Sequence, residues 1–226
     1  MEEYPEKKSG DYVHSSVKGG LNLVPIVGGA LSTLFETVIS SPIDKRKEEW
    51  LRSLATAIND LCDTVDGLKP ENLAENEEFL SICIHASNIA LRTHQEEKLE
   101  RLLNAVKNTA TGLVADESKR MIFLRVIDEM TELHIRVFIF LAEIDRFVKE
   151  LDSRQPPNQT TFWADARNVW EKTYDDIKSN DNILDVIVAD LNRYGFVHIK
   201  QFHEARLEPV TTKFGRDFVN FIKPRS

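Results

Sequence analysis

The residues of this sequence best suited to metal or redox chemistry are six histidines and two cysteines. Cys62 and Cys83 stand too far apart for a CxxC zinc or thiol–disulfide motif, and a disulfide framework is not expected with so few cysteines. His85, His94 and His134 fall on three different predicted helices, and none has an HxxxH or HExxH neighbour. His94-Gln95-Glu96-Glu97 has part of the zincin composition without its second histidine. His134 lies inside an apolar seam, where a histidine bonded to a carbonyl or carboxylate is the ordinary arrangement. His198 and His203 flank a predicted turn, which favours solvent exposure over ligation. The expectation is no metal and no cofactor.

Nucleophilic chemistry fares no better. The chain has no GxSxG, no SxxK and no glycine-rich phosphate loop ending in Lys-Ser or Lys-Thr. Glu75, Glu77 and Glu78 read as a solvated acidic turn rather than paired catalytic carboxylates. Asn158-Gln159-Thr160 has the form of a glycosylation sequon, but nothing around it predicts secretion. No catalytic residues are expected, and the protein reads as a non-enzyme.

Two other constellations stand out. From Leu191 onward seven basic residues face three acidic ones, with Lys200, Arg206, Lys213 and Arg216 as the candidate contacts to a partner or to nucleic acid. The helix that would read DNA, residues 181–194, carries Asp181, Asp185 and Asp190 against Arg193 alone. That charge favours a protein partner over nucleic acid. The second constellation is a run of seventeen uncharged residues, 19–35, holding four of the nine glycines. Leu21, Leu23, Val24, Ile26, Val27, Gly28, Gly29, Leu31, Leu34 and Phe35 make up a candidate membrane-active segment. Glycine inside a helix costs about 1 kcal/mol, so helix propensity alone does not explain this composition. Glycine does permit close packing and conformational switching. Glu36 and Pro25 argue against a constitutive span, since a central acid costs roughly 2.5–3.5 kcal/mol in a bilayer.

These residues need elements to hold them. The chain has 226 residues, 42% hydrophobic and 29% charged, enough to build a core without staples. Its formal charge of −8 disfavours a surface that binds nucleic acid as a whole. Residues 1–18 read as a polar, flexible leader without secretory character. Residues 19–151 read as a helical bundle whose glycine-rich apolar segment comes first. Within it, 27–38, 45–67, 77–92 and 95–114 are predicted amphipathic helices, with Leu99, Leu102, Leu103, Val106, Ala110 and Leu113 facing inward on the last.

The strongest periodicity follows. Phe123, Ile127, Met130, His134, Val137, Leu141, Ile144, Val148 and Leu151 recur at alternating spacings of four and three, which predicts one continuous central helix. Residues 152–162, with Pro156-Pro157, read as a linker. Residues 163–226 then read as helices over 163–178 and 181–194, a glycine stop at Gly195, strands over 196–200 and 207–210, and a last helix capped by Thr211 or Thr212. That order is winged-helix-like. The fold class expected is therefore mainly α, a multi-helix bundle with a small C-terminal winged-helix-like element made of a short β-hairpin plus a helix.

Three stretches carry a family resemblance: Leu23-Val24-Pro25-Ile26-Val27-Gly28-Gly29 through Lys45-Arg46-Lys47-Glu48-Glu49-Trp50, Ala90-Leu91-Arg92-Thr93-His94 through Asn104-Ala105-Val106, and Ile122-Phe123-Leu124-Arg125 through Leu133-His134. In these the chain resembles an uncharacterised family of bacterial α-helical proteins. Its layout, with the ending Thr212-Lys213-Phe214-Gly215-Arg216-Asp217-Phe218, is also similar to abortive-infection proteins of the alpha type. The resemblance implies an antiphage effector that senses an infection-derived protein, forms a homo-oligomer on activation and perturbs the inner membrane through residues 19–40. Such a protein is expected to be cytoplasmic at rest and membrane-associated when active. The alternative expectation is a DNA-binding or protein-adaptor module acting through the winged-helix-like element.

Overall fold

A computed structural model describes residues 45–113, 116–154, 163, 165–178 and 180–224. The chain divides into two compact units, Met1–His94 and Gln95–Ser226. Its architecture is mainly helical, with ten α-helices among the described residues.

In the first unit, α1 (Lys45–Thr64) buries Trp50, Leu54, Ile58 and Leu61, the stripe its 3.6-residue period predicts. The helix ends short of Gly67, whose φ of 80° provides the left-handed turn that other residues resist. A five-residue helix, α2 (Pro70–Ala74), occupies the stretch expected to be a bare acidic connection. It opens on a proline, whose fixed φ and missing N–H suit a first helical turn. Asn76 then caps α3 (Glu77–Ala90) by accepting from the Phe79 N–H at 3.0 Å. Trp50 of α1 donates its indole N–H to the Ser87 hydroxyl of α3 at 2.9 Å, so the one polar atom of a buried ring is satisfied.

The second unit begins with α4 (Glu96–Ala110), and here the buried face departs from the apolar stripe. Leu102, Ala105 and Val106 are buried, but so are Lys98, Asn104 and Asn108, while Leu113 is exposed rather than inward. Each buried polar group has main-chain partners. Lys98 donates to the carbonyls of Asp128 and Met130. Asn104 donates to Ile222, and Asn108 to Asn220, Phe221 and Lys223. Hydrogen bonds of this number turn the burial of polar groups from a penalty into a fixed docking geometry.

The continuous central helix is corrected by the structure to three helices: α5 (Glu117–Glu129), α6 (Glu132–Ala142) and α7 (Ile144–Ser153). No glycine or proline breaks them. Met130 and Thr131 are extended, and Thr131 closes a capping box with His134, its hydroxyl accepting from the His134 N–H. Lys98 satisfies carbonyls at that break. At the second break Glu143 pairs with Lys223, and its other oxygen accepts from Arg146 Nε at 2.8 Å. Phe123, Ile127, Met130, Val137, Leu141 and Ile144 are buried nonetheless, so the periodicity identified the core while missing the chain's two turns.

Residues 155–162, most of the expected linker, lie outside the described residues. The helices on either side of them share a core: α9 (Asn182–Arg193) packs on α6, and α10 (Lys213–Ile222) packs on α4. Two aromatic clusters bind these parts. Phe123 and Phe138 meet Phe196 and Phe218, whose rings stack 4.4 Å apart. Phe140 meets Trp170 of α8 (Ala166–Thr173) edge-on at 5.1 Å, with Phe202 and Tyr174 around them.

The β-hairpin of the winged-helix expectation is not seen among the described residues. A single bridge, Val197 to Thr211, stands in its place. Pro209 has no N–H to extend a ladder. The Lys200 N–H is taken by the Glu204 carboxylate, and Phe202–Glu204 coil into a 3₁₀ turn that buries Phe202. The close of the element agrees with expectation. Gly195 takes φ 76°, and Thr212 caps α10, accepting from the Gly215 N–H at 2.9 Å and donating to the Gly195 carbonyl at 2.6 Å.

Candidate functional site

The candidate membrane-active segment, from Leu21 to Phe35, lies outside the described residues. No described helix is long and apolar enough to cross a membrane.

The four candidate contact cations all sit on the C-terminal element with exposed side chains. Lys200 precedes the 3₁₀ turn, and Arg206 follows it, donating to the His203 carbonyl at 3.3 Å. Lys213 opens α10. Arg216, one turn on, is held by the Thr211 carbonyl at 2.9 Å. Two of the four are therefore partly committed to their own turns.

Helix α9 covers the stretch expected from sequence to be the DNA-reading helix. Its acids serve the fold. Asp181 caps the helix by accepting from the Ile183 N–H, and Asp185 accepts from the Phe202 N–H at 2.7 Å. Asp190 faces Arg193 at 3.2 Å and His134 Nε2 at 3.4 Å. The Thr131 N–H donates to His134 Nδ1, which leaves the Nε2 proton for Asp190. His134 is thus bonded between a cap and a carboxylate, with the role its place in an apolar seam implied. The solvent face of α9 is apolar: Ile183 is 45% and Val186 60% exposed, two of the four large hydrophobic residues so placed among the described ones. Neither residue stood out in the sequence as a surface contact. Val186 falls on the side of the helix away from Leu184, Ile187, Val188 and Leu191, which are buried.

The remaining groups offer little chemistry. Burial pushes the Cys83 thiol well above its ordinary range, so it stays protonated and unreactive. The Cys62 thiol is raised too, by burial and then by Asp63 and Glu71. No group of three metal-ligating side chains occurs among the described residues. An open groove of about 600 Å³ runs beside α7, lined by Glu143, Arg146, Lys149, Glu150 and Lys223 among others. Its charges answer one another. Arg146 donates to Glu143 and Glu150 at 2.8 and 3.0 Å, and Lys223 pairs with Glu143.

Comparison with protein-family models, with curated proteins and with solved structures finds no match to this chain.

Proposed function

We propose that this chain is a non-enzymatic antiphage effector of the abortive-infection kind. It rests in the cytoplasm, senses an infection-derived protein, forms a homo-oligomer and perturbs the inner membrane through residues 19–40. The observation that carries this reading is the uncharged, glycine-rich run of seventeen residues ahead of a helical body. The 3.6-residue spacing of Val27, Leu31, Leu34, Phe35 and Val38, which begins in that run and ends just past it, predicts one face able to enter lipid.

Leu31→Glu tests it. A second acid five residues from Glu36 opposes insertion by a few kcal/mol, more than tenfold in a marginal equilibrium. The expected outcome is a variant with the wild-type circular dichroism melt that no longer arrests growth or releases dye from liposomes of inner-membrane lipids. Wild-type protein that arrests no growth and leaks no liposome would retire the effector reading.

A second reading is favoured by the apolar solvent face of α9. In it the C-terminal element is a protein-docking adaptor, with Lys200, Arg206, Lys213 and Arg216 at its rim. Duplex DNA binding with a steep salt slope, abolished by charge reversal at Lys213 and Arg216, would instead favour nucleic acid.

A further inference from the structure

Residues 117–153 contain neither glycine nor proline, and the seam from Phe123 to Leu151 keeps its four–three spacing throughout. A sharp break in such a helix needs a physical cause, and one such cause is a side chain inserted into the i→i−4 ladder. Lys98 is that side chain at the α5–α6 break. In a continuous helix the Glu132 N–H would donate to the Asp128 carbonyl, and the His134 N–H to the Met130 carbonyl. Those are the two carbonyls that the Lys98 ammonium holds, at 2.7 and 2.8 Å. The His134 N–H turns instead to the Thr131 hydroxyl at 3.4 Å, and the Thr131 N–H to His134 Nδ1 at 3.3 Å. Main-chain bonds resume at once on either side, from the Met130 N–H to Val126 and from the Ile135 N–H to Thr131. The break is a local exchange of ladder bonds for side-chain bonds.

We propose that the α5–α6 break is a two-state switch, in which withdrawal of Lys98 lets α5 and α6 join as one continuous helix. The joined helix regains its ladder across residues 131–134, and neither flanking helix has to be remade. Against this stands the packing of α6 on α9, which holds the resting state bent. A partner that binds the joined form more tightly shifts the balance by that difference in affinity and by no more. The inference deepens the activation step of the proposed function and rests on that reading for its role, though not for its geometry.

The test measures spin-label distances in the full chain, with Cys62→Ser as background and labels on Ser118→Cys and Asp145→Cys, both exposed sites. A straight helix sets these positions about 40 Å apart. The otherwise unsubstituted chain is expected to show one shorter distance. Lys98→Met removes the inserted donor. Thr131→Ala removes the cap and puts a strong helix former at an exposed position. Each is expected to add a minor population near the straight-helix distance. Thr131→Pro is expected to abolish that population in the Lys98→Met background, because proline inside a helix loses a main-chain bond and clashes with the preceding turn. The bent form accepts the proline, since Met130 is extended at φ −70° and ψ 144° and Thr131 has φ −89°. Folded Lys98→Met and Thr131→Ala proteins that both keep only the short distance, or a Thr131→Pro variant that retains the long one, would overturn the proposal. Liposome leakage by Thr131→Pro equal to that of wild type would overturn the switch's role in activation. Joining that occurs as expected in a protein that never leaks liposomes would retire the effector reading and leave the switch intact.

Discussion

The ammonium of Lys98 lies 2.7 Å from the carbonyl oxygen of Asp128 and 2.8 Å from that of Met130. A buried cation on α4 thereby satisfies main-chain acceptors where α5 stops and α6 has not begun. Helix ends leave carbonyls without intrahelical partners, and inside a core they must find donors. Lys98 is 6% exposed, so water cannot take its place fully. Lys98→Met keeps much of the stem and removes the donor. It is expected to lower stability by about 1.5–3 kcal/mol, the range for hydrogen bonds to charged groups, read as a lower urea midpoint at constant m.

Asn108 performs the same service at the other end of the unit. Its amide donates to the carbonyls of Asn220, Phe221 and Lys223 at 2.9–3.0 Å, fastening the last turn of α10 to α4. Asn108→Leu keeps the volume but strands those acceptors. A loss of about 1–3 kcal/mol is expected. Hydrogen exchange should rise first in the last turn of α10, and uniform exchange across the unit would count against this local role.

Gly215 is required by contact rather than by dihedral angle. A Cβ there would stand 2.2 Å from the Phe196 carbonyl oxygen, which is backbone and cannot swing aside. Gly215→Ala is expected to push α10 off the Val197–Thr211 bridge at a cost of about 1–3 kcal/mol. Near-ultraviolet circular dichroism should report it through the disturbed Phe196–Phe218 stack.

Ile127 and Leu141 are fully buried on α5 and α6. Ile127→Ala or Leu141→Ala is expected to lower stability by about 2–5 kcal/mol, the transfer and cavity cost of lost methyl groups. Calorimetric melts within a degree of wild type for both would remove α5 and α6 from the core.

The acid side of the pH profile follows from Asp165, which caps α8 through the Asn168 N–H. Burial pushes its carboxyl up, but hydrogen bonds from Arg167 and from main-chain N–H groups outweigh this and hold it below the ordinary range. A lowered folded-state pKa adds stability above the unfolded value of about 3.9, and that contribution fades as pH falls through the folded one. Asp165→Ala should therefore narrow its deficit against wild type as thermal melts are taken from pH 6 toward pH 3.

Local chemistry was enough to read much of this molecule. The 3.6-residue periods of α1 and α3 fall on Trp50, Leu54, Ile58, Phe79 and Ile82, all of them buried. Gly195 and the Thr211-Thr212 pair marked a helix stop and a helix start, because a left-handed turn and an N-cap depend on neighbours within a few residues. The seam from Phe123 to Ile144 was found the same way. Breaks in that seam were not, since hydrophobic spacing carries no record of where Lys98 will arrive to satisfy main-chain carbonyls or Lys223 to pair with Glu143. The expected hairpin is not seen for a similar reason: residues 196–200 and 207–210 have strand-like composition, yet between them Phe202 is buried in a 3₁₀ turn against Trp170. The apolar face of α9 also waited on tertiary structure. A sequence shows that Ile183 and Val186 are hydrophobic, but only the packed neighbours of the helix determine which side is left to solvent.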